Sequence, residues 1–315
     1  MGRMKGTRHP DVQNHQVPDS YRLTRVGVKG VRKPVRVRRP GRTVTLQPVI
    51  SLFVDLPARQ RGSHMSRNIE VVSELVELSV KSPCSSLEEL AAKLSRGLLD
   101  KHEYATQAEV EMRADYFVEK KNPSGKRSTE HYLLIGRALA HRGAAILVRK
   151  SIGVEVVGMT ACPCAQETVK EYLAKTDKRL RDGTCPPPML THNQRNLTSL
   201  MIEVPERFSV EADDLINLVE GSQSSPTYEI LKRPDEGQVV LNAHRNPKFV
   251  EDVVRDLLRK VVESYPNLPD EVAVSVRSES QESIHKHDAV AERITTMGEL
   301  RRSRPAFEFP KKSCA

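Results

Sequence analysis

The chain has 315 residues, of which 38% are hydrophobic and 29% charged, and this suits one large or two medium globular domains with a sizeable core. It contains neither an apolar run long enough to span a membrane nor an N-terminal apolar stretch typical of a signal peptide, so we expect a cytoplasmic protein without membrane contact. The absence of Trp and the aromatic content of 4% leave few platforms for stacking bases, which argues against a nucleic-acid partner.

The net charge of +9 is concentrated in one segment. Residues 1–42 contain twelve Lys or Arg against Asp11 and Asp19, so the rest of the chain is close to neutral. Three interpretations stay open for this segment: a solvated tail, a nucleic-acid arm, or a surface for a polyanion or an oligomer interface. Residues 1–20 are polar and irregular, and we predict a flexible basic segment there.

The first half of the chain predicts the order β, β, α, β, β. The segments 21–28 and 42–57 are typical of strands, and 85–102 predicts a helix behind a capping box from Ser85 to Glu88. Strict alternation predicts a strand at 108–118, and 144–160 supplies one or two more.

The second half repeats this pattern. We predict a short helix at 164–175, a strand at 196–204, a helix at 209–221, an amphipathic helix at 246–265 and a strand at 270–280. Adjacent strands covered by amphipathic helices on one face indicate an α+β fold with antiparallel sheets. We expect two such units in tandem, at residues 21–150 and 151–315.

The most unusual local motif is Cys162-Pro-Cys164, placed between a predicted strand and a predicted helix. By itself this spacing is a weak metal signal, and two buried small hydrophobic side chains would explain it equally well. However, the positive end of a helix dipole favours an anionic thiolate. One cysteine could therefore bind a metal while the other stays free as a reactive thiol.

Three other stretches carry metal-binding or acid–base side chains. His192 lies among polar residues before a strand, and Glu236 lies in a segment whose composition is typical of a polar loop. Glu282, His285 and His287 fall within six residues, and the two histidines share a face only if this segment is a strand. Cys, His and Glu together would form a mixed-ligand site typical of a catalytic metal.

Taken in order, the motifs DLPARQRGSHMSR, TACPCAQE, THNQR, LKRPDE, NPKFVEDVVRD and ESIHKHDA resemble the type IB GTP cyclohydrolases, most closely their archaeal branch, which serves the methanopterin and archaeosine pathways. The resemblance spans roughly residues 10–300. It implies a tandem pair of tunnelling-fold (T-fold) modules, each an antiparallel sheet with helices on one side. It also implies a homo-oligomer, either a tetramer or a dimer of dimers.

The resemblance assigns roles to individual residues. Cys162, His192 and Glu236 match the family's metal ligands, for one divalent metal per subunit. Fe(II) is the first expectation, and Mn(II) or Zn(II) are alternatives, because this ligand set tolerates all three.

The remaining matched residues concern the substrate, GTP. Cys164 matches the reactive cysteine beside the purine, and Glu251 the carboxylate that anchors the guanine edge. Glu282 and His285 match the acid/base pair. His64 and Arg67 are candidates for the phosphates.

The implied reaction is a hydrolytic opening of the guanine imidazole ring, release of formate and re-closure to a 7,8-dihydroneopterin. A long insertion between Cys164 and His192, containing TCPPPM, favours the archaeal product, a 2',3'-cyclic phosphate formed with release of pyrophosphate. Two alternatives are a basic-armed nucleic-acid-binding protein with a structural metal and a T-fold nitrile reductase. The chain lacks a counterpart of the reductase's Glu-Ser-Lys-rich cofactor motif.

Overall fold

Within residues 11–18, 21–39, 41–186, 188–205 and 207–303, which the computed structural model describes, the chain forms eleven strands, eight α-helices and one short 3₁₀ turn. The strands are β1 (Leu23–Arg32), β2 (Val35–Arg39), β3 (Arg42–Leu46), β4 (Val49–Leu56), β5 (Gln107–Lys121), β6 (Arg127–Arg142), β7 (Ile146–Ala161), β8 (Asn193–Glu203), β9 (Ser225–Pro226), β10 (Ala273–Gln281) and β11 (Ala289–Thr296). The helices are α1 (Met65–Lys81), α2 (Leu87–Lys101), α3 (Pro163–Thr176), α4 (Lys178–Arg181), α5 (Ala212–Glu220), α6 (Arg233–Arg245), α7 (Val250–Ser264) and α8 (Met297–Arg302).

The described chain divides into two compact units. Unit 1 comprises residues 11–116 and 133–152, and unit 2 comprises residues 117–132 and 153–303. The long strands β5, β6 and β7 have residues in both units. Most of the predicted N-terminal segment 1–20 lies outside the described residues. Of its described part, residues 13 and 15 accept backbone hydrogen bonds from Gly62 and Arg61.

In unit 1 the strands follow the order β1-β4-β5-β6-β7, and the β1–β4 and β4–β5 pairs are antiparallel. Strands β2 and β3 form a separate antiparallel hairpin. Helices α1 and α2 pack against each other, and α2 also packs on β4. The apolar stripe of α2 is buried, with Leu90, Leu94 and Leu98 at most 2% exposed, which explains why this amphipathic sequence forms a stable helix.

In unit 2 the strand order is β7-β8-β10-β11, and β9 pairs with β7. The β8–β10 and β10–β11 pairs are antiparallel. Helix α7 packs on β10 and β11 through its apolar face, where Val253, Leu257 and Val261 are fully buried. An antiparallel sheet covered by helices agrees with the α+β class that the sequence predicts.

Several predicted elements differ in detail from the observed ones. The N-cap of α2 is Ser86, whose Oγ accepts from the backbone N–H of Glu89, one residue later than the predicted box. The segment 42–57 forms two strands, β3 and β4, because the interruption at Gln47 and Pro48 ends the first. The segment 144–160 is one strand, and 65–81 and 127–142 form a helix and a strand that the pattern analysis did not identify.

A buried polar network lies at the end of α2. His102 is fully buried directly after this helix, with Nε2 3.0 Å from Asn68 Oδ1 and Nδ1 2.8 Å from the Tyr104 hydroxyl. The Tyr104 hydroxyl is in turn 2.9 Å from Ser63 Oγ. Burial disfavours the charged imidazolium and lowers the pKa of His102 to about 4, so the network is built on a neutral histidine.

We expect acidification to destabilise the protein through His102. The ordinary histidine pKa is 6.5, so between that value and about 4 the unfolded chain binds a proton that the folded chain does not. Above pH 6.5 the contribution of His102 to the free energy of unfolding does not change with pH. As the pH falls from 6.5 to about 4, the protein becomes less stable. The free energy of unfolding in urea should be about 2 kcal/mol lower at about pH 5 than at about pH 7.5 because of this residue.

The variant His102→Gln retains a side-chain amide that can donate to Asn68 but does not titrate. It should be less stable than the wild type near neutral pH and should lose that part of the pH dependence. His131→Gln, at an exposed histidine, serves as the matched control and should keep the wild-type slope. An equal slope in His102→Gln and the wild type would contradict the assignment.

No helix among the described residues combines the length and the apolar character that crossing a membrane requires.

Candidate active site

The Cys-Pro-Cys motif forms the junction between β7 and α3. Strand β7 ends at Ala161, Cys162 is the N-cap of α3, and Pro163 occupies the first helical position, where its missing N–H is not needed. Cys162 Sγ accepts from the backbone N–H of Ala165 at 3.4 Å. Cys164 is exposed in the first turn, and both cysteines are free thiols. The local structure therefore places two thiols at the positive end of a helix.

The sheet brings His192 to this junction. Because β7 and β8 are neighbours, the end of β7 lies beside the start of β8. The backbone N–H of Cys162 donates to the His192 carbonyl at 3.1 Å, and Thr191 Oγ1 donates to the Cys162 carbonyl at 2.6 Å. Backbone and side-chain hydrogen bonds thus hold the two predicted metal ligands on adjacent chain segments.

Register places Glu282 at the same end of the sheet. Strands β8 and β10 are antiparallel with Arg195 opposite Gln281, so the residues just before β8 meet those just after β10. Glu282 Oε2 is 3.9 Å from His192 Nδ1, and the two side chains are only 11% and 12% exposed. Gln194 Nε2 donates to Glu282 Oε1 at 3.2 Å. A carboxylate, an amide and an imidazole are therefore in mutual contact.

The two histidines after Glu282 lie in the loop between β10 and β11. From the sequence this segment could be either a strand or a helix, and in the structure it is neither. The rings of His285 and His287 nevertheless stack, with centroids 5.2 Å apart, and His285 lies edge-on to His192 at 6.4 Å. The loop is closed by the backbone N–H of Glu282, which donates to Asp288 Oδ1 at 3.2 Å.

The start of α7 lies next to the same junction. The backbone N–H of Lys248 donates to the Ala161 carbonyl at 2.9 Å, which ties this segment to the end of β7. Lys248 Nζ pairs with Asp256 at 2.7 Å. Glu251 follows in the first turn of α7, where its carboxylate is exposed and the helix dipole favours a negative charge.

These segments enclose a cavity of about 550 Å³. Seven residues that the sequence analysis singled out line it: Cys162, Cys164, His192, Glu251, Glu282, His285 and His287. The cavity has the size of a small-molecule site. It combines thiols, imidazoles and carboxylates that could move protons and bind a polar ring.

Glu236 does not line this cavity. It is exposed in the first turn of α6. The prediction of a polar loop at 231–238 was therefore wrong, because most of this segment is helical. Its turn-like composition is that of a helix start, where Asp235 Oδ2 accepts from the Lys232 backbone N–H and Pro234 fits the first turn. His244, at the other end of α6, contacts Asn193 at 3.1 Å. Eight residues, or about 12 Å of helix, separate it from Glu236.

The predicted phosphate ligands belong to unit 1 rather than to the unit that contains the cavity. His64 Nε2 is 3.0 Å from Asp11 Oδ1, and its Nδ1 is buried with no hydrogen-bond partner among the described residues. Arg67 donates to the Lys101 carbonyl at 3.0 Å.

The donor set for a metal is partly assembled. Cys162 and His192 line the same cavity, and a thiolate with a neutral imidazole suits Fe(II), Mn(II) or Zn(II) to different degrees. Among the residues that the structure describes, however, no three His, Cys, Asp or Glu side chains are grouped to hold a metal ion. Two of the three predicted ligands therefore line the cavity, and Glu236 does not.

Gln194 is a polar residue of the cavity that the sequence did not indicate. It stands inside the quoted motif THNQR, two residues after His192 and two before the predicted strand 196–204, and the observed strand β8 already includes it. Side chains two apart on a strand share a face, which is the signal that could have identified it.

Comparisons with known proteins agree on one enzyme family. Residues 9–291 match the family described as type I GTP cyclohydrolase folE2. The GTP cyclohydrolase MptA of Methanothermobacter thermautotrophicus is 46% identical over 301 residues, covering 93% of this chain and 95% of the relative. The MptA of Methanosphaera stadtmanae is 44% identical over 311 residues, covering 95% and 98%.

A more distant similarity concerns the fold alone. The crystal structure of uricase from Arthrobacter globiformis aligns with a TM-score of 0.50 and 10% identity, covering 91% of this chain and 96% of that one.

Proposed function

Because this chain belongs to the type I GTP cyclohydrolase family and is an enzyme that acts on GTP, we propose that the cavity at the start of α3 is the place where the guanine ring is opened. The observation that carries this proposal is the convergence of Cys162, Cys164, His192, Glu251 and Glu282 on one cavity from four separate chain segments. The family membership favours this function over the nucleic-acid-binding and nitrile-reductase alternatives.

In this proposal the guanine edge binds to Glu251. Its carboxylate can accept two hydrogen bonds, from the ring amide N–H and the exocyclic amine, and it stands at the cavity wall without an ion-pair partner among the described residues. Cys164, exposed in the first turn of α3, would then contact the purine.

Proton transfer falls to the carboxylate and the imidazoles. Opening the imidazole ring requires protons to be delivered to ring nitrogens as formate leaves, and Glu282 and His285 line the cavity for this role. His287, stacked on His285, restricts the orientation of that ring.

The proposed cofactor is one divalent metal, Fe(II) first and Mn(II) or Zn(II) as alternatives. Cys162 Sγ and His192 would hold it, with Glu236 as the predicted third ligand. Once bound it would supply Lewis acidity that makes water a stronger nucleophile near neutral pH.

Finer features of the family remain proposals for this chain. We infer a type IB enzyme whose two units are tandem T-fold modules and whose product is the 2',3'-cyclic phosphate, formed with release of pyrophosphate. The contacts of His64 and Arg67 with the phosphates belong to the same proposal. A homo-oligomer, a tetramer or a dimer of dimers, is supported by the edge strand β11, where Val290 and Ile294 are 48% and 72% exposed.

We expect reduced protein incubated with GTP and Fe(II) to release formate and to yield a pterin that becomes fluorescent on oxidation. After treatment with a chelator the rate should fall to that of a control without enzyme, and adding Fe(II) or Mn(II) should restore it. Mass spectrometry of the product identifies the cyclic phosphate or the triphosphate. Full turnover by protein shown to be free of metal would reject the proposed cofactor.

A further inference from the structure

Gln194 connects His192, the proposed metal ligand, with Glu282, the proposed proton-transfer group. Its side chain lines the cavity and contacts both the imidazole of His192 and the carboxylate of Glu282. The chain Glu282–Gln194–His192 is short, and its outer members are nearly buried. The direction of each hydrogen bond in it can be derived from the donors and acceptors that the three groups possess.

The carboxylate sets the orientation of the amide. An ionised carboxylate has oxygens that only accept, so the amide group that faces Glu282 Oε1 at 3.2 Å must be the NH₂ of Gln194. The Gln194 carbonyl oxygen then points the other way. It lies 3.0 Å from His192 Nδ1.

The amide in turn sets the tautomer of the imidazole. Gln194 Oε1 has no hydrogen, so Nδ1 of His192 must be the donor in this contact. The Ser283 hydroxyl, 3.3 Å from the same nitrogen, can act as a second acceptor. In a neutral imidazole with its proton on Nδ1, the lone pair is on Nε2. Nε2 makes no hydrogen bond to any residue that the structure describes, and the ring lines the cavity.

We propose that Gln194 is a positioning residue, which fixes the Nδ1–H tautomer of His192 and so directs the Nε2 lone pair into the cavity. Glu282 orients Gln194 and thereby acts on His192 through it. Without the amide, imidazole would populate both tautomers, and the form with the proton on Nε2 cannot bind a metal through that nitrogen. The use of this lone pair rests on the proposed function, whereas its orientation does not.

The orientation can be measured without any metal. In protein labelled with ¹⁵N-histidine at about pH 8, where an ordinary histidine is neutral, long-range ¹H–¹⁵N spectra distinguish protonated from unprotonated ring nitrogens. The signal of His192 is assigned by its loss in His192→Gln. We expect the wild type to have protonated Nδ1 and unprotonated Nε2, and Gln194→Leu to give a mixture of tautomers.

Two further variants separate positioning from a structural role. Glu282→Ala removes the acceptor that orients the Gln194 amide, so it should also give a mixture of tautomers. Asn193→Ala removes a neighbouring amide that contacts His244 instead of His192, and it should leave the tautomer unchanged. A wild-type His192 with its proton on Nε2, or an unchanged tautomer in Gln194→Leu, would overturn the proposal.

A second readout uses Co(II) alone as a probe, titrated by its visible absorption in the absence of GTP. Loss of a group that orients a ligating histidine commonly weakens metal binding by about 10- to 100-fold, and we expect this for Gln194→Leu. Failure of the wild type to bind Co(II) would count against the proposed cofactor, while the tautomer spectra decide the role of Gln194. Equal Co(II) affinity in Gln194→Leu and the wild type would overturn the positioning role.

Discussion

Replacing Cys164 with alanine is expected to abolish turnover of GTP while leaving the fold and the metal content unchanged. The side chain is exposed in the first turn of α3 and lines the cavity. Thr168 Oγ1 donates a hydrogen bond to the backbone carbonyl of Cys164, which the substitution leaves in place. Truncation therefore costs little stability. A group that takes part directly in the chemistry contributes roughly 10²- to 10⁴-fold, and formate release should fall by this factor.

Two other cysteines make this prediction specific. Cys162→Ala should lose metal and turnover together, because Cys162 is the proposed ligand. Cys185→Ala removes an exposed thiol that does not line the cavity and should behave as the wild type. Metal content and circular dichroism are measured on all three variants alongside the rate. Normal formate release by Cys164→Ala would reject the reactive-thiol assignment.

The fold was predictable where one local pattern was strong. Helix α7 was expected at 246–265 from its four-residue apolar steps and is observed at Val250–Ser264. Helix α1 was not identified, because its apolar positions are largely Val and Ile, which favour strands, and its N-cap, His64, makes no side-chain capping bond. The segment of α6 was misassigned because Pro, Asp and Gly are as typical of turns as of helix starts.

The site was predictable as a set of residue types but not as a geometry. Resemblance to a family selected Cys162, His192, Glu251 and Glu282, and the structure places all four around one cavity. The proximity of Glu282 to His192 depends on the register of β8 against β10, a pairing between residues about 80 positions apart that no local spacing encodes. For the same reason the sequence could not indicate that Glu236 would be absent from the lining of this cavity.

Glu251, the proposed guanine-binding residue, gives the second strong prediction. Glu251 stands in the first turn of α7 next to Asp252, so both carboxylates have the same favourable interaction with the helix dipole. Only Glu251 lines the candidate active site, whereas Asp252 Oδ2 accepts from the Phe249 backbone N–H and stabilises the start of the helix. Comparing variants of Glu251 and Asp252 therefore distinguishes a role in binding guanine from a role in the stability of the helix.

Glu251→Gln is expected to weaken GTP binding by about 10- to 100-fold with an intact fold. The neutral amide loses one charge-assisted hydrogen bond and presents a donor to another donor, a change of about 1.5–3 kcal/mol. Asp252→Asn is the matched control: it should lower the melting temperature because the helix start loses a negative charge that the dipole and the Phe249 N–H favour, yet keep the affinity for GTP. Calorimetric titration with GTP under conditions without turnover measures both affinities. An unchanged affinity in Glu251→Gln would remove this carboxylate from the purine pocket, and an equal loss in Asp252→Asn would mean that the helix start, and not a contact with guanine, determines binding.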